Sequence, residues 1–108
     1  MKTIHFICKD SLNLSRIEKG KDDYTSGNWD LPQSDADQLV GGMIYLHQTK
    51  ARPSYFGGKV VSAKEIQTKD THAKRIVFTF TFVPEGRGVN WQGTARATAW
   101  TSGVLDQK

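Results

Sequence analysis

The chain has 108 residues, 37% of them hydrophobic and 24% charged, and a formal net charge of +4. That length suits one domain with a single modest core and is too short for two, while ordinary composition without a polar tract or a fixed-period repeat excludes wholesale disorder and solenoid architectures. A single cysteine, Cys8, excludes an internal disulfide framework; with no CxxC or HExxH spacing a structural zinc site is not expected, and Cys8 reads as a small core residue.

Along the chain, Lys2 to Cys8 places Ile4, Phe6 and Cys8 on one face at period two, as a half-buried strand does. Its apolar run is broken by His5 and Lys9, so the segment is expected to be neither a signal peptide nor a membrane span, and the protein is expected to be cytoplasmic. Leu12 to Ile17 can form a turn of helix. Ser34 can cap a short helix reaching Leu39, with Asp35 and Asp37 favourable in its first turn and Gly41 closing it.

Met43 to His47 is a second strand with Met43, Tyr45 and His47 on one face and Ile44 and Leu46 on the other. The loop Gln48 to Phe56 follows, stiffened by Pro53, and the Gly57-Gly58 pair permits backbone conformations closed to other residues before a third strand over Lys59 to Ile66. The clearest strand is Arg75 to Val83, where Ile76, Phe78, Phe80 and Phe82 alternate with Val77, Thr79, Thr81 and Val83, so one face must be core. Pro84 ends it and EGRG makes a turn. Trp91 to Trp100 reads as a last strand. Together these describe a mostly β (α+β) chain, a small closed or half-closed barrel of about five strands with one or two short helices, forming a single domain over residues 1–108.

Charge is uneven. Residues 47 to 75 carry seven Lys/Arg against two Asp/Glu, net +5, whereas residues 1 to 46 carry five against seven. A basic middle attracts polyanions, nucleic acid first; the competing reading is a solvated surface. Lys50 and Arg52 in the stiffened loop are the best phosphate contacts. Tyr55 and Phe56 are either loop anchors or rings facing a ligand, anchoring being the commoner fate.

The succession FICKDS, SGNWDLP, a short helix and LVGGMIYLHQTKARPSYFGGKVVSAKEI resembles the PUA-like superfamily, especially its EVE and ASCH branches and more distantly the YTH domain. Lys9-Asp10-Ser11, Asn28-Trp29, Gly41-Gly42, Tyr45-Leu46-His47 and Pro53 with Gly57-Gly58 occupy the corresponding places over the first two thirds of the chain. Gly41-Gly42 stands where these domains usually have Gly-Asp, and His5-Phe6 where EVE domains often have Tyr-Trp. The resemblance implies a PUA-like β-barrel whose cleft accepts an extruded, often modified, nucleobase, lined here by Lys9, Ser11, Asn28, Trp29 and His47.

Each of these residues also has a purely structural reading. Trp29 supplies a stacking surface or plugs the barrel end; Asn28 pairs with a base edge or serves a turn after Gly27; His47 faces the cleft or is a satisfied structural residue; Lys9 and Ser11 hold a base or form an exposed turn. Trp91, flanked by Arg87 and glycines, is a second stacking ring or packs against the phenylalanine strand. Two other classes compete. A small hydrolase or nuclease of the ASCH type could assemble His5, His47, His72 and Cys8, or pair Lys9 with His47, although no local catalytic motif supports it. A protein-interaction module would use Trp91 and Trp100 as anchors. The expected partner is nucleic acid or a nucleotide-like ligand, with no cofactor or metal, no membrane and a monomeric chain.

Overall fold

The computed structural model describes residues 1–11, 13–67, 74–92 and 101–106, and for Asn28 the backbone only. The chain is mostly β. In order it forms β1 (Lys2–Ile7), a short 3-10 turn (Lys9–Ser11), β2 (Leu14–Arg16), β3 (Asp23–Trp29), α1 (Gln33–Asp37), β4 (Met43–His47), β5 (Phe56–Gln67), β6 (Lys74–Phe82), a second 3-10 turn (Pro84–Gly86) and β7 (Leu105–Asp106). All seven strands join one sheet in the order β2-β3-β6-β5-β4-β1-β7.

Period-two alternation decides which side chains enter the core. Ile4 and Phe6 of β1, Ile44 and Leu46 of β4, Val60 of β5, and Ile76, Phe78 and Phe80 of β6 are all buried on one face, with Ala36 and Leu39 closing over them from α1 and its exit. The phenylalanine strand therefore buries the face that its alternation demands. Cys8 continues this core face at 2% exposure, its N–H donating to the His47 carbonyl at 2.8 Å.

The sheet is strongly curled. Phe6 of β1 stacks on Trp29 of β3 with ring centres 4.0 Å apart and planes 12° from parallel, although β4, β5 and β6 separate those strands along the sheet. Among the described residues the edges β2 and β7 do not pair, so the sheet is open, with seven strands instead of the expected five or so. The undercount has a physical cause. β2 and β7 are only three and two residues long, and β3 reads DYTSGNW, so none of them carries the apolar alternation that marks a strand, although Leu14, Tyr24 and Trp29 do pack against the core.

Other expectations are corrected in the same way. Leu14–Arg16 is a strand paired with Tyr24–Ser26, not a turn of helix, while Leu12 lies outside the described residues. The short helix begins behind Pro32, whose φ of −64° suits a helix start, and Ser34 lies inside it and makes no cap. Gly41 does not close it: the helix ends at Asp37 with Gln38 as its cap, and Gly41, at φ +87°, turns the chain three residues later and donates its N–H to the Val60 carbonyl of β5. Gly57 and Gly58 belong to β5 and provide space, not an unusual φ: a Cβ on Gly57 would sit 2.4 Å from the Ile44 carbonyl oxygen, and one on Gly58 would sit 2.0 Å from that of Thr81. The expected last strand, Trp91 to Trp100, falls largely outside the described residues; Trp91 and Gln92 themselves are not in a strand.

Candidate functional site

Among the sheet's neighbouring pairs, β1 and β4 alone run parallel, in the register Ile4 with Ile44 and Phe6 with Leu46. Their carboxyl ends therefore emerge side by side, and the turn Lys9–Ser11 meets the loop 48–55. A crevice outside the carboxyl ends of parallel strands is a recurrent ligand position in α/β sheets. Here the Asp10 N–H donates to Gln48 Oε1 at 2.7 Å, and Gln48 Nε2 donates to Asp10 Oδ1 at 3.2 Å. Lys9, Asp10, Gln48 and Thr49 line an open depression of about 190 Å³.

The turn is strained and held from beneath. Asp10, Ser11 and Asn13 have φ of 55°, 58° and 58°, a region costing about 1 kcal/mol or more per non-glycine residue. The Tyr55 hydroxyl donates to the Cys8 carbonyl at 2.5 Å and so fastens the loop 48–55 to the end of β1. Burial raises the Tyr55 hydroxyl pKa above its ordinary value, as does the neighbouring Cys8; burial likewise raises that of the Cys8 thiol. Ser54 locks the same loop to the segment after β6: its hydroxyl donates to the Gly86 carbonyl at 2.7 Å and accepts from the Val89 N–H at 3.0 Å. Tyr55 is thus a loop anchor.

The ladder carries this end of the sheet further. Leu46 pairs with Phe56, Gly58 with Phe82, Thr81 with Asp23, and Tyr24 with Arg16. Phe56 and Phe82 stack at 4.7 Å and 14°, and Tyr24 meets Phe56 edge-on at 4.8 Å. Arg87 lies over this row, 4.8 Å from the Phe82 ring centre. Arg16 donates to the Tyr24 hydroxyl from Nε at 3.0 Å and from Nη2 at 2.6 Å. The ion pairs of the described residues join Lys2 to Asp106, Lys21 to Glu18, Lys74 to Glu65 and Arg75 to Asp30. Arg16, Arg52 and Arg87, all exposed at this one end, enter none of them.

On the face of β1 and β4 away from the core, His5 and His47 are 1% and 0% exposed. His47 Nδ1 lies 3.0 Å from the Arg52 carbonyl oxygen, which can only accept, so Nδ1 carries the proton and Nε2 is bare. His5 Nδ1, 2.8 Å from that Nε2, is then the donor. Both rings are neutral in this arrangement. Burial, and secondarily His47, lowers the His5 pKa to about 4; burial also lowers that of His47, opposed by its bond to the Arg52 carbonyl. Trp91 covers the pair at 5.6 Å from His5 and 5.2 Å from His47, and Lys50 lies 5.4 Å from its ring centre. The Trp91 Nε1–H is buried without a hydrogen-bond partner among the described residues.

The residues expected to line one cleft are thus divided. Lys9 and Ser11 stand on the turn at the crevice, and Arg52 and Lys50 on the loop beside it. His47 lies on the face opposite Trp29, whose ring packs on Phe6 and whose Nε1 donates to Ser26 Oγ at 3.0 Å. Asn28 is a residue of β3, and its side chain lies outside the described residues. Trp91 packs on the histidines and not on the phenylalanine strand. Cys8 sits on the core face away from His5 and His47, and His72 and Trp100 lie outside the described residues. Sequence reasoning gave no binding role to Gln48, Arg16 or Tyr24, and read Phe82 only as part of the alternating strand. The Lys9-Asp10-Ser11 motif pointed to the crevice, but nothing local announces that Gln48 faces it.

Among the described residues no group of three or more His, Cys, Asp or Glu side chains could hold a metal ion, and no helix is long and apolar enough to cross a membrane. No family model, curated protein or solved structure matches the chain.

Proposed function

We propose that the chain is a nucleic-acid-binding module of PUA-like type that engages its ligand at the end of the sheet built from the turn Lys9–Ser11 and the loop 48–55. The observation that carries this reading is the exposure of Arg16, Arg52 and Arg87 at that end, none of them neutralised by a carboxylate of the described residues. Keeping guanidinium groups unpaired and close together sustains a positive potential, which suits a polyanion. Within the crevice, the Asp10 carboxylate and the Gln48 amide offer acceptor and donor groups for a base edge, and Lys9 and Arg52 flank them as phosphate contacts.

The test is the salt dependence of binding. With a fluorescently labelled short oligonucleotide, affinity should fall steeply as salt rises. Replacing Lys9 and Arg52 together by Gln should weaken binding of every sequence by a similar factor and flatten the slope by about 1.4, at roughly 0.7 per single-strand phosphate contact. An unchanged slope removes these two residues from the interface. Absence of binding at low salt overturns the reading, and binding insensitive to salt favours a protein-interaction module.

A further inference from the structure

The row Tyr24, Phe56 and Phe82 is not used by the crevice, yet it lies at the same end of the sheet. Phe78 and Phe80 on the same face of β6 are fully buried, but Phe82, next in that alternation, is half-buried because the core cover stops short of the strand end. Arg87 lies over it at 4.8 Å from the ring centre and 5.8 Å from that of Phe56. Among the described residues no hydrogen bond or ion pair engages the Arg87 side chain, so its N–H fork is unspent on them. At the other end of the row, Arg16 is hydrogen-bonded to the Tyr24 hydroxyl and pairs with no carboxylate of the described residues.

We infer that this row is a stacking platform for a base of single-stranded nucleic acid, with Arg87 as the planar cation between the rings and the incoming base. The inference rests on the nucleic-acid reading of the same end and narrows it to strands whose bases are free. A guanidinium seated on an aromatic stack offers its outer face to a base and its N–H edge to a phosphate, two groups that a nucleotide supplies together. An acidic peptide satisfies the charge and leaves the plane unused. A duplex satisfies the charge but keeps its bases stacked on each other. Tyr55 and Phe56 are consecutive, so the loop 48–55 that borders the crevice leads directly into the row, and one strand can pass from Lys9 and Arg52 to Arg87.

The experiment measures anisotropy of a labelled oligoadenylate strand and of a duplex with the same number of phosphates, against the unaltered chain, Arg87→Lys and Arg87→Ala. Arg87 is exposed and its side chain holds no hydrogen bond to the described residues, so both variants should keep the fold, which circular dichroism of each checks. Arg87→Lys keeps the charge and loses the plane. The single strand should bind at least about tenfold more tightly than the duplex, and Arg87→Lys should cost about tenfold for the strand and little for the duplex, with the salt slope unchanged. Equal binding of strand and duplex, or a neutral Arg87→Lys, overturns the platform and leaves the crevice reading standing. No binding of either nucleic acid overturns both. Polyglutamate competing as well as oligoadenylate overturns the platform in favour of an acidic partner.

Discussion

His5 Nδ1 donates to His47 Nε2 across 2.8 Å, and His47 Nδ1 donates in turn to the Arg52 carbonyl at 3.0 Å, so one chain of two neutral imidazoles links β1 to the loop that carries Arg52. A proton added to His5 would charge a buried ring beside Trp91, Tyr45 and His47, with Lys50 already lying over Trp91.

This pair should make stability depend on pH. The His5 pKa is about 4 in the folded chain against an ordinary 6.5, so between these values the unfolded chain binds the proton first. The contribution of the neutral pair is therefore complete above pH 6.5, declines as pH falls and is lost below about 4; it amounts to roughly 1–3 kcal/mol. Urea midpoints measured from neutral pH down to pH 4 should fall for the unaltered chain more steeply than for His5→Gln, whose curve keeps the contributions of His47 and the carboxylates. Parallel curves would show that His5 titrates normally.

Trp29→Ala should destabilise the fold, not merely a surface. The ring is half-buried, lies parallel on Phe6 at 4.0 Å and packs against the core, so its removal opens space between β1 and β3 where the sheet curls onto itself. A loss of about 2–4 kcal/mol in chemical denaturation is expected. A loss below 1 kcal/mol would mean that the ring is surface and leave it available to a ligand.

Trp91→Phe should be tolerated. The indole Nε1–H is buried with no partner among the described residues, a condition that costs about 1–3 kcal/mol, and phenylalanine removes the donor while keeping a ring against His5 and His47. The melting temperature should stay level or rise slightly, since the weaker attraction of Lys50 for a phenyl ring offsets part of the gain. A marked fall in melting temperature would show that Nε1 is satisfied in solution.

What the sequence determined by itself is local and periodic. The alternation of Ile76, Phe78 and Phe80 is a property of successive residues, and burying one face of such a strand is its only favourable outcome; Met43 to His47 is legible as a strand as well, although the fold buries both of its faces. Strands stabilised by pairing and not by their own pattern were not legible: Leu14–Arg16 and Asp23–Trp29 become strands because each lies beside another, in a register that no residue of either announces. Tertiary structure alone decided the site. Parallel pairing of β1 with β4 brings Asp10 to Gln48 and His5 to His47, while curling carries Trp29 to Phe6 and away from His47. Likewise, Arg87 reaches Phe56 only because β5 runs antiparallel to β6 and begins at the end where β6 finishes. These contacts join residues tens of positions apart, and their geometry follows from sheet order and curvature, which sum over the whole chain and leave no mark at any one position.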